Sequence, residues 1–378
     1  MKIGIVLYPT FGGSGIVATE LGKALSLKGH QVHFITYSHP VKLGELRKNI
    51  FYHEVRTSDY PLFDYTPYEQ VLTSKLVDVV KYEKLDLLHV HYAIPHASAA
   101  YMAQQILKSQ GVNIPFITTL HGTDITLVGK DPSFEPVITF SINQSNKVTA
   151  VSENLKQETL ELFLIRREID VIPNFINVED YKMANNDFYK KRYAPKNEKI
   201  LCHISNFRKV KRIEDVLKVF NNISPKINSK LILVGDGPER PKIERIARKS
   251  SFFKNIFFLG NLKSTKEILN ISDLFLLPSS TESFGLAALE AMASGVPVVA
   301  SNSGGIPEVV THQRSGLLND VGDIDQMTQN TFEIISNESS LNKYKLGALE
   351  NANEFDIKIV LPKYEKLYKD CIENYLIN

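Results

Sequence analysis

The sequence has little of several things, and each shortage removes a class of protein. Only two cysteines occur, Cys202 and Cys371, far apart and with no Cys-x-x-Cys or histidine pair at metal-ligand spacing. A disulfide framework and a zinc module are therefore both unsupported, and a reducing, cytoplasmic setting is expected. Net charge is almost nil: 44 Lys and Arg against 42 Asp and Glu leave +2, a weak field for a nucleic-acid binder. No apolar run approaches the roughly 20 residues that span a bilayer, so stable membrane insertion is not expected. Met1-Lys2-Ile3 leads straight into an apolar strand without the regions of a secretory leader. Low-complexity tracts are missing too. With 43% hydrophobic and 23% charged residues the make-up is that of a soluble globular protein, and 17 prolines and 20 glycines suit many short loops.

A length of 378 residues exceeds one ordinary domain and suits two, which makes a cleft between them the first place to expect a site. The apolar run 2–8, the glycine cluster Phe11-Gly12-Gly13-Ser14-Gly15 and the periodic stretch 16–27 read as strand, loop and helix. Gly29 stands where a helix stop needs a left-handed residue, and 31–36 resumes as a strand, completing a βαβ unit. Further strands are expected at 85–90, 116–120, 148–151 and 170–172, with a helix at 98–107 among the connections. A second series begins at 200–204 and continues through 231–234, 256–259, 274–277 and 298–300. Such alternation means parallel sheets with helices on both faces. The expected architecture is α/β: a first Rossmann-like domain over 1–175, a second over 176–356, and a final helix over 357–378 free to pack back on either. The polar stretch 174–198, with Pro195, reads as the connection.

In open parallel sheets ligands collect beyond the carboxyl ends of the strands. Several unusual sequences fall there. Gly12-Gly13-Ser14-Gly15 lets backbone approach a ligand and puts a helix N-terminus behind it, although a plain tight turn has the same composition. It is neither a Walker motif nor a full G-x-G-x-x-G. His121-Gly122-Thr123-Asp124 follows the strand 116–120, so His121 is either a site residue or a structural hydrogen-bonding histidine. His89-Val90-His91-Tyr92 ends another strand, with both histidines on one face and no third metal ligand at a suggestive spacing. After the strand 200–204 comes Ser205-Asn206-Phe207-Arg208-Lys209-Val210-Lys211-Arg212, a cationic cluster suited to a pyrophosphate or, in the plainer reading, a solvated basic face. Gly235-Asp236-Gly237-Pro238 reads as a structural turn. The stretch Pro278 to Pro297 embeds two carboxylates, Glu282 and Glu290, in apolar sequence. A helix starting near Phe284 would place Glu282 in the loop before it and Glu290 one and a half turns inside. The N–H groups of Phe284, Gly285 and Leu286 would then be donors at that N-terminus. Ser303-Gly304-Gly305 adds another glycine turn. Asp323-Ile324-Asp325 mimics a metal-binding D-x-D, but Asp323 is better placed as a helix cap.

Glu282 and Glu290, a glutamate, seven residues and a second glutamate, resemble the signature of the retaining GT-B glycosyltransferases of family four. Four further stretches resemble the branch of that family that uses L-malate at the start of bacillithiol biosynthesis. They are Tyr8-Pro9 with Gly12 to Gly15, His91 to Ala97, Thr119 to Thr126, and Ser205 to Arg212. The resemblance covers essentially the whole chain. It implies two Rossmann-like domains facing each other across a cleft, with UDP-N-acetylglucosamine as donor and L-malate as acceptor. It further implies that Glu290 binds the ribose, Arg208 and Lys211 the diphosphate, and Glu282, Phe284, Gly285 and Leu286 the sugar, with Gly13 close to the donor. His121 would lie near the reactive face of the sugar, and Ser14, Tyr92, Thr119 and Thr123 would take the acceptor. His121, Arg208, Lys211 and Glu282 would carry the chemistry. The acceptor hydroxyl would attack on the face that UDP leaves, and a departing phosphate oxygen would take its proton. No metal or other cofactor is implied, and a homo-oligomer is left open. Two other readings remain: a family-four enzyme with a lipid or polysaccharide acceptor, for which the basic stretch 240–249 was considered, and a UDP-sugar sensor without turnover.

Overall fold

Two parallel sheets organise the chain in the computed structural model, which describes residues 1–10, 12–44, 48–57, 67–181 and 187–377. The first compact unit comprises Met1–Phe175 and Ile357–Asn378, the second Ile176–Asp356.

In the first unit β1 (Lys2–Val6), α1 (Gly13–Leu27), β2 (Gln31–Thr36), β3 (Ile50–Glu54), α2 (Tyr68–Glu83), β4 (Leu87–His91), α3 (Ser98–Ser109), β5 (Phe116–Leu120), α4 (Glu135–Gln144), β6 (Lys147–Ala150), α5 (Glu153–Leu162) and β7 (Ile169–Val171) follow in order. The sheet order is β3-β2-β1-β4-β5-β6-β7, and every pair is parallel. Strands β4 and β5 are buried along their whole length, as parallel strands covered on both faces must be. Val6, Ile35, Leu88, Val90 and Phe116 pack with Leu72 and Leu76 of α2 and with Ala99 and Ala103 of α3 in one apolar layer. Helix α1 stops at Gly29, whose φ of 90° is open to glycine, with His30 N–H bonded to Leu25 O at 3.2 Å.

The second unit contains α6 (Asp187–Tyr193), β8 (Lys199–Ile204), α7 (Ile213–Ile223), β9 (Ser229–Val234), α8 (Arg240–Ala247), β10 (Ile256–Gly260), α9 (Lys266–Leu269), β11 (Leu274–Leu277), α10 (Leu286–Ala293), β12 (Val298–Ser301), α11 (Ile306–Val309), β13 (Gly316–Asn319), α12 (Ile324–Ile335) and α13 (Glu338–Asn353). Its all-parallel sheet runs β10-β9-β8-β11-β12-β13. Both sheets change winding direction beside their first strand, between β1 and β4 and between β8 and β11. Those switch points are where loops part and leave a crevice at the carboxyl edge.

The last helix, α14 (Ile357–Ile377), belongs to the first unit. Its Tyr364 and Tyr368 are fully buried, and Tyr368 Oη lies 2.8 Å from His89 Nδ1 on β4. Burying two aromatic side chains of this size settles where the helix packs; removing either would cost about 3–5 kcal/mol.

Some elements differ from expectation. Helix α1 begins at Gly13 rather than Ile16, so the glycine cluster is its first turn rather than a free loop; Phe11 lies outside the described residues. A Cβ on Gly15 would stand 2.3 Å from Tyr8 O, so only glycine lets that turn seat on the segment after β1. Strand β3 escaped notice because it is an edge strand, only partly buried and without an apolar run. Strand β13 is four residues long and starts on a glycine. The expected connection 174–198 holds α6 and a short turn at Val178–Tyr181, while 182–186 lie outside the described residues.

Candidate functional site

At the first switch point the segment after β1 meets the ends of β4 and β5. Ser14, in the first turn of α1, places Oγ 2.7 Å from Tyr92 Oη. The Tyr92 ring stands 5.2 Å from that of Tyr8 and 5.4 Å from that of His121. Tyr92 has φ 95° and ψ 140°, a conformation found almost only in glycine and held elsewhere only when the surroundings enforce it. Here its N–H donates to Thr119 O at 2.9 Å and its carbonyl accepts from Ala97 N–H at 3.2 Å. Asp124, 2% exposed, accepts from Ala93 N–H at 2.8 Å and from Gly122 N–H at 3.1 Å.

A histidine relay runs beneath. His89 Nε2 bonds Thr119 Oγ1 at 2.7 Å, the His89 and His91 rings lie 4.4 Å apart, and His91 Nδ1 sits 2.8 Å from His121 Nε2. His96 Nδ1 donates to the carbonyl of His91. Burial drives the imidazoles towards neutrality: His89 falls to about 3, with His121 adding to the effect, and His91 well below the usual range. Burial also lowers His96 to about 4 and His121 to about 3, the latter helped by His96. His121 is thus a neutral, half-buried imidazole whose partner fixes its orientation. Burial raises Asp124 to about 6, against the backbone amides that pull it down.

Ser14, Tyr92 and His121 therefore converge, with Thr123 exposed just beyond Gly122 and Gly13 exposed at the start of α1. Thr119 does not join them. Its side chain lies on the α14 face of β5, fully buried, with Oγ1 committed to His89 and, at 2.6 Å, to Thr149. The hydroxyl expected to anchor the acceptor is thus turned inward, onto His89 and Thr149.

At the second switch point Lys211 Nζ and Glu282 Oε1 are 2.6 Å apart, each side chain 14% exposed, and Ser279 Oγ adds a bond to the same oxygen at 2.8 Å. Glu282 is thus not a helix cap. Helix α10 begins at Leu286, two residues later than expected, behind Gly285 at φ 95°, and carries no acidic residue in its first turn. Glu290, about one turn inside it, is 8% exposed and accepts from Tyr181 Oη at 2.9 Å. The Asn206 amide, correctly oriented, accepts from Arg208 Nε at 3.2 Å and Nη2 at 3.3 Å. Phe284 is buried against Phe355, so its backbone rather than its ring is what it offers. Gly304, at φ 59°, would place a Cβ 2.1 Å from Glu282 O, and the Gly305 N–H donates to that carbonyl at 2.7 Å. The Ser303-Gly304-Gly305 turn is what holds the Glu282 backbone. Likewise Gly235 and Gly237 let the turn after β9 close on Ser205 and Phe207.

Within the basic stretch 240–249, Arg240 pairs with Asp236 and Glu244, Lys242 with Glu214, and Arg248 with Glu244. Asp323 caps α12, its Oδ1 accepting from Gln326 N–H at 2.9 Å. Among the described residues, one group of three potential metal ligands is drawn together, His33, His53 and Glu83; it includes neither His89, His91 nor Asp323. Sequence reasoning gave no role to Asp124, Tyr181, His96 or His203, which supports Ser205 Oγ at 2.7 Å. Tyr181 carried no signal, lying in an aperiodic stretch; Asp124 stood inside a motif already noticed.

Two Rossmann-like units, one carrying a Glu-x7-Glu pair beside half-buried cations, define a glycosyltransferase of the GT-B class. Residues 11–180 match the model of Glycosyltransferase Family 4, and residues 185–350 that of Glycosyl transferases group 1. The chain is 44% identical over 376 residues, 99% of its own length and 98% of the relative's, to the N-acetyl-alpha-D-glucosaminyl L-malate synthase of Bacillus anthracis. It therefore belongs to the family-four glycosyltransferases. Anabaena HepE in complex with UDP-glucose superposes with a TM-score of 0.82 at 19% identity, covering 98% of this chain and 100% of that one. Sucrose-phosphate synthase from Thermosynechococcus elongatus gives 0.81 at 20% identity, covering 99% and 100%. These likenesses concern the fold. No helix among the described residues is long and apolar enough to cross a membrane.

Proposed function

We propose that this protein transfers N-acetylglucosamine from UDP-N-acetylglucosamine to the hydroxyl of L-malate with retention of configuration, releasing UDP. The observation that carries this reading is 44% identity sustained over 99% of the chain, both units included, to the Bacillus anthracis enzyme. The geometry supports it. Lys211 and Arg208 supply fixed cations for a diphosphate, which brings more charge to Lys211 than the single carboxylate of Glu282. Glu290, oriented by Tyr181, is a buried acceptor suited to a ribose diol. The start of α1, with no acidic residue in its first turn, and the Ser14–Tyr92 hydroxyl pair suit an acceptor bearing carboxylates.

In the proposed reaction malate's hydroxyl oxygen bonds to the anomeric carbon as the bond to the β-phosphate oxygen breaks on the same face. That departing oxygen accepts the hydroxyl proton, so no enzyme nucleophile is needed. Stabilising the charge that develops on UDP supplies much of the rate, and neutral His121 offers a dipole without a competing cation. We also propose that no metal takes part, since Arg208 and Lys211 do its electrostatic work. The test is to incubate the protein with UDP-N-acetylglucosamine and a panel of hydroxy acids and to identify products by mass and anomeric configuration. An α-linked malate adduct is expected, undiminished in excess EDTA. Release of UDP without a malate adduct overturns the acceptor, and dependence on added Mn²⁺ or Mg²⁺ overturns the metal-free mechanism.

A further inference from the structure

We propose that Asp124 is a positioning residue whose carboxylate ties the loop after β4 to the loop after β5, fixing Tyr92 and His121 where the acceptor is recognised. The inference rests on the acceptor-side reading above. Its basis is the way the two loops are joined. Asp124 follows β5 by four residues, and its Oδ1 accepts from Gly122 N–H at 3.1 Å within its own loop. Its Oδ2 crosses to the other loop and accepts from Ala93 N–H at 2.8 Å. Ala93 immediately follows Tyr92, so the bond grips the peptide unit whose orientation fixes Tyr92's ψ of 140°, directly beside its positive φ.

Both residues gripped are conformationally unusual. Gly122 has φ 109° and Tyr92 φ 95°, and only the former is glycine. A tyrosine persists there only if its neighbourhood over-determines it. The Tyr92 N–H, its carbonyl, the following N–H and its phenol all have partners, namely Thr119, Ala97, Asp124 and Ser14. Of these, only Asp124 brings a charge, and charge-assisted bonds to amides are the stronger kind. Relaxing Tyr92 would swing the phenol away from Ser14 and alter the wall against which the His121 ring stands.

Asp124 is not placed to act on substrate itself. It is 2% exposed, and both its oxygens are occupied by backbone amides. A general base would need a carboxylate oxygen within reach of the acceptor hydroxyl. The amides also favour the ionised form against burial, and the ionised form is the one that can accept at both oxygens.

The test combines Asp124→Asn, Tyr92→Phe and the double variant, with steady-state constants for donor and acceptor and a crystal structure of Asp124→Asn. Asparagine keeps the volume but turns one acceptor into a donor facing an amide N–H. The expected result is an acceptor KM raised about tenfold or more with the donor KM within about twofold. In the Tyr92→Phe background the same change should shrink to less than about threefold, because the two residues act in one chain of contacts. The crystal structure should show Tyr92 released from its positive φ and its bond to Ser14 broken. Additive effects, equal rises in both KM values, or Tyr92 unmoved would each overturn the proposal. Should Asp124→Asn fail to fold, Asp124→Glu retains the charge but displaces it by one methylene, and the same acceptor-selective rise is expected. If the unmodified protein uses no hydroxy acid at all, the functional reading fails, while the position of Tyr92 in the crystal still decides the role of Asp124.

Discussion

Lowering the pH from 7.5 to 5.5 should weaken the first unit well before its ordinary carboxylates titrate. The histidines His33, His89, His91, His96 and His121 of the first unit have folded pKa values depressed by burial, to about 4 for His33 and His96 and about 3 for His89 and His121, and burial lowers His53 as well. A depressed histidine stays neutral when folded and becomes charged when unfolded. Below about 6.5 the unfolded state therefore binds more protons, and stability falls as pH falls. At pH 5.5 each such group contributes on the order of 1 kcal/mol to unfolding, and together they contribute several. Asp124, raised to about 6, works the other way. Its folded form takes up protons first and returns somewhat under about 1 kcal/mol at that pH. The net loss is several kcal/mol, comparable with the whole stability of many domains, about 5–15 kcal/mol. Urea unfolding followed by near-ultraviolet circular dichroism, which reports the buried Tyr364 and Tyr368, should show the midpoint collapsing between the two pH values. His96→Asn should flatten the dependence by a measurable fraction, since one of the titrating groups is gone. Equal midpoints at the two pH values, or a rise on acidification, would refute the reasoning that burial keeps these imidazoles neutral.

Other consequences are more local. Tyr181→Phe removes a hydrogen bond to a buried carboxylate, worth about 1.5–3 kcal/mol. The donor KM should rise about tenfold or more with the acceptor KM unchanged, and an unaltered donor KM would show that Glu290 is oriented without Tyr181. Lys211→Met should lower kcat by about 100- to 1000-fold, the usual effect of losing one group that stabilises developing charge; retention of kcat would remove Lys211 from the chemistry. Gly235→Ala places a Cβ 1.8 Å from Ser205 O at a φ of 125°, so melting should fall by an amount equivalent to about 1–3 kcal/mol or more. A wild-type melting temperature would contradict that close approach. Asp323→Ala should cost about 1 kcal/mol of stability as a lost cap and leave transfer intact; a loss of transfer that added Mn²⁺ restores would instead make this aspartate a metal ligand.

Much of this arrangement is legible in residue order because its causes are local. Continuous apolar runs separated by helical periodicity dictate buried parallel strands, and 116–120 and 274–277 coincide with β5 and β11 to the residue. Gly29, at the end of α1, and Asp323, before α12, act through neighbours within four positions, so their capping roles could be read from spacing. The Glu282–Glu290 spacing carries the family because one loop and one helix turn fix both carboxylates. What the linear order could not reveal depends on which faces meet. Thr119 lies within β5 and His121 just past its end, so one is sealed beneath α14 and bonded to His89 while the other reaches the carboxyl edge; which polar groups meet there depends on the packing of α14. Lys211 and Glu282 are 71 positions apart, Tyr181 and Glu290 109 apart, and each pair meets because the strand order brings separate loops together. Asp124 was visible in sequence as a residue but not as a clamp, since its partner at Ala93 belongs to the neighbouring strand's loop. Sequence by itself determined most of the strands, caps such as Gly29 and Asp323, and the family, all products of short-range periodicity and spacing. The tertiary structure alone decided which polar groups are buried together, and with that which imidazoles are neutral and which carboxylates are held, because burial and electrostatics arise from contacts across the chain.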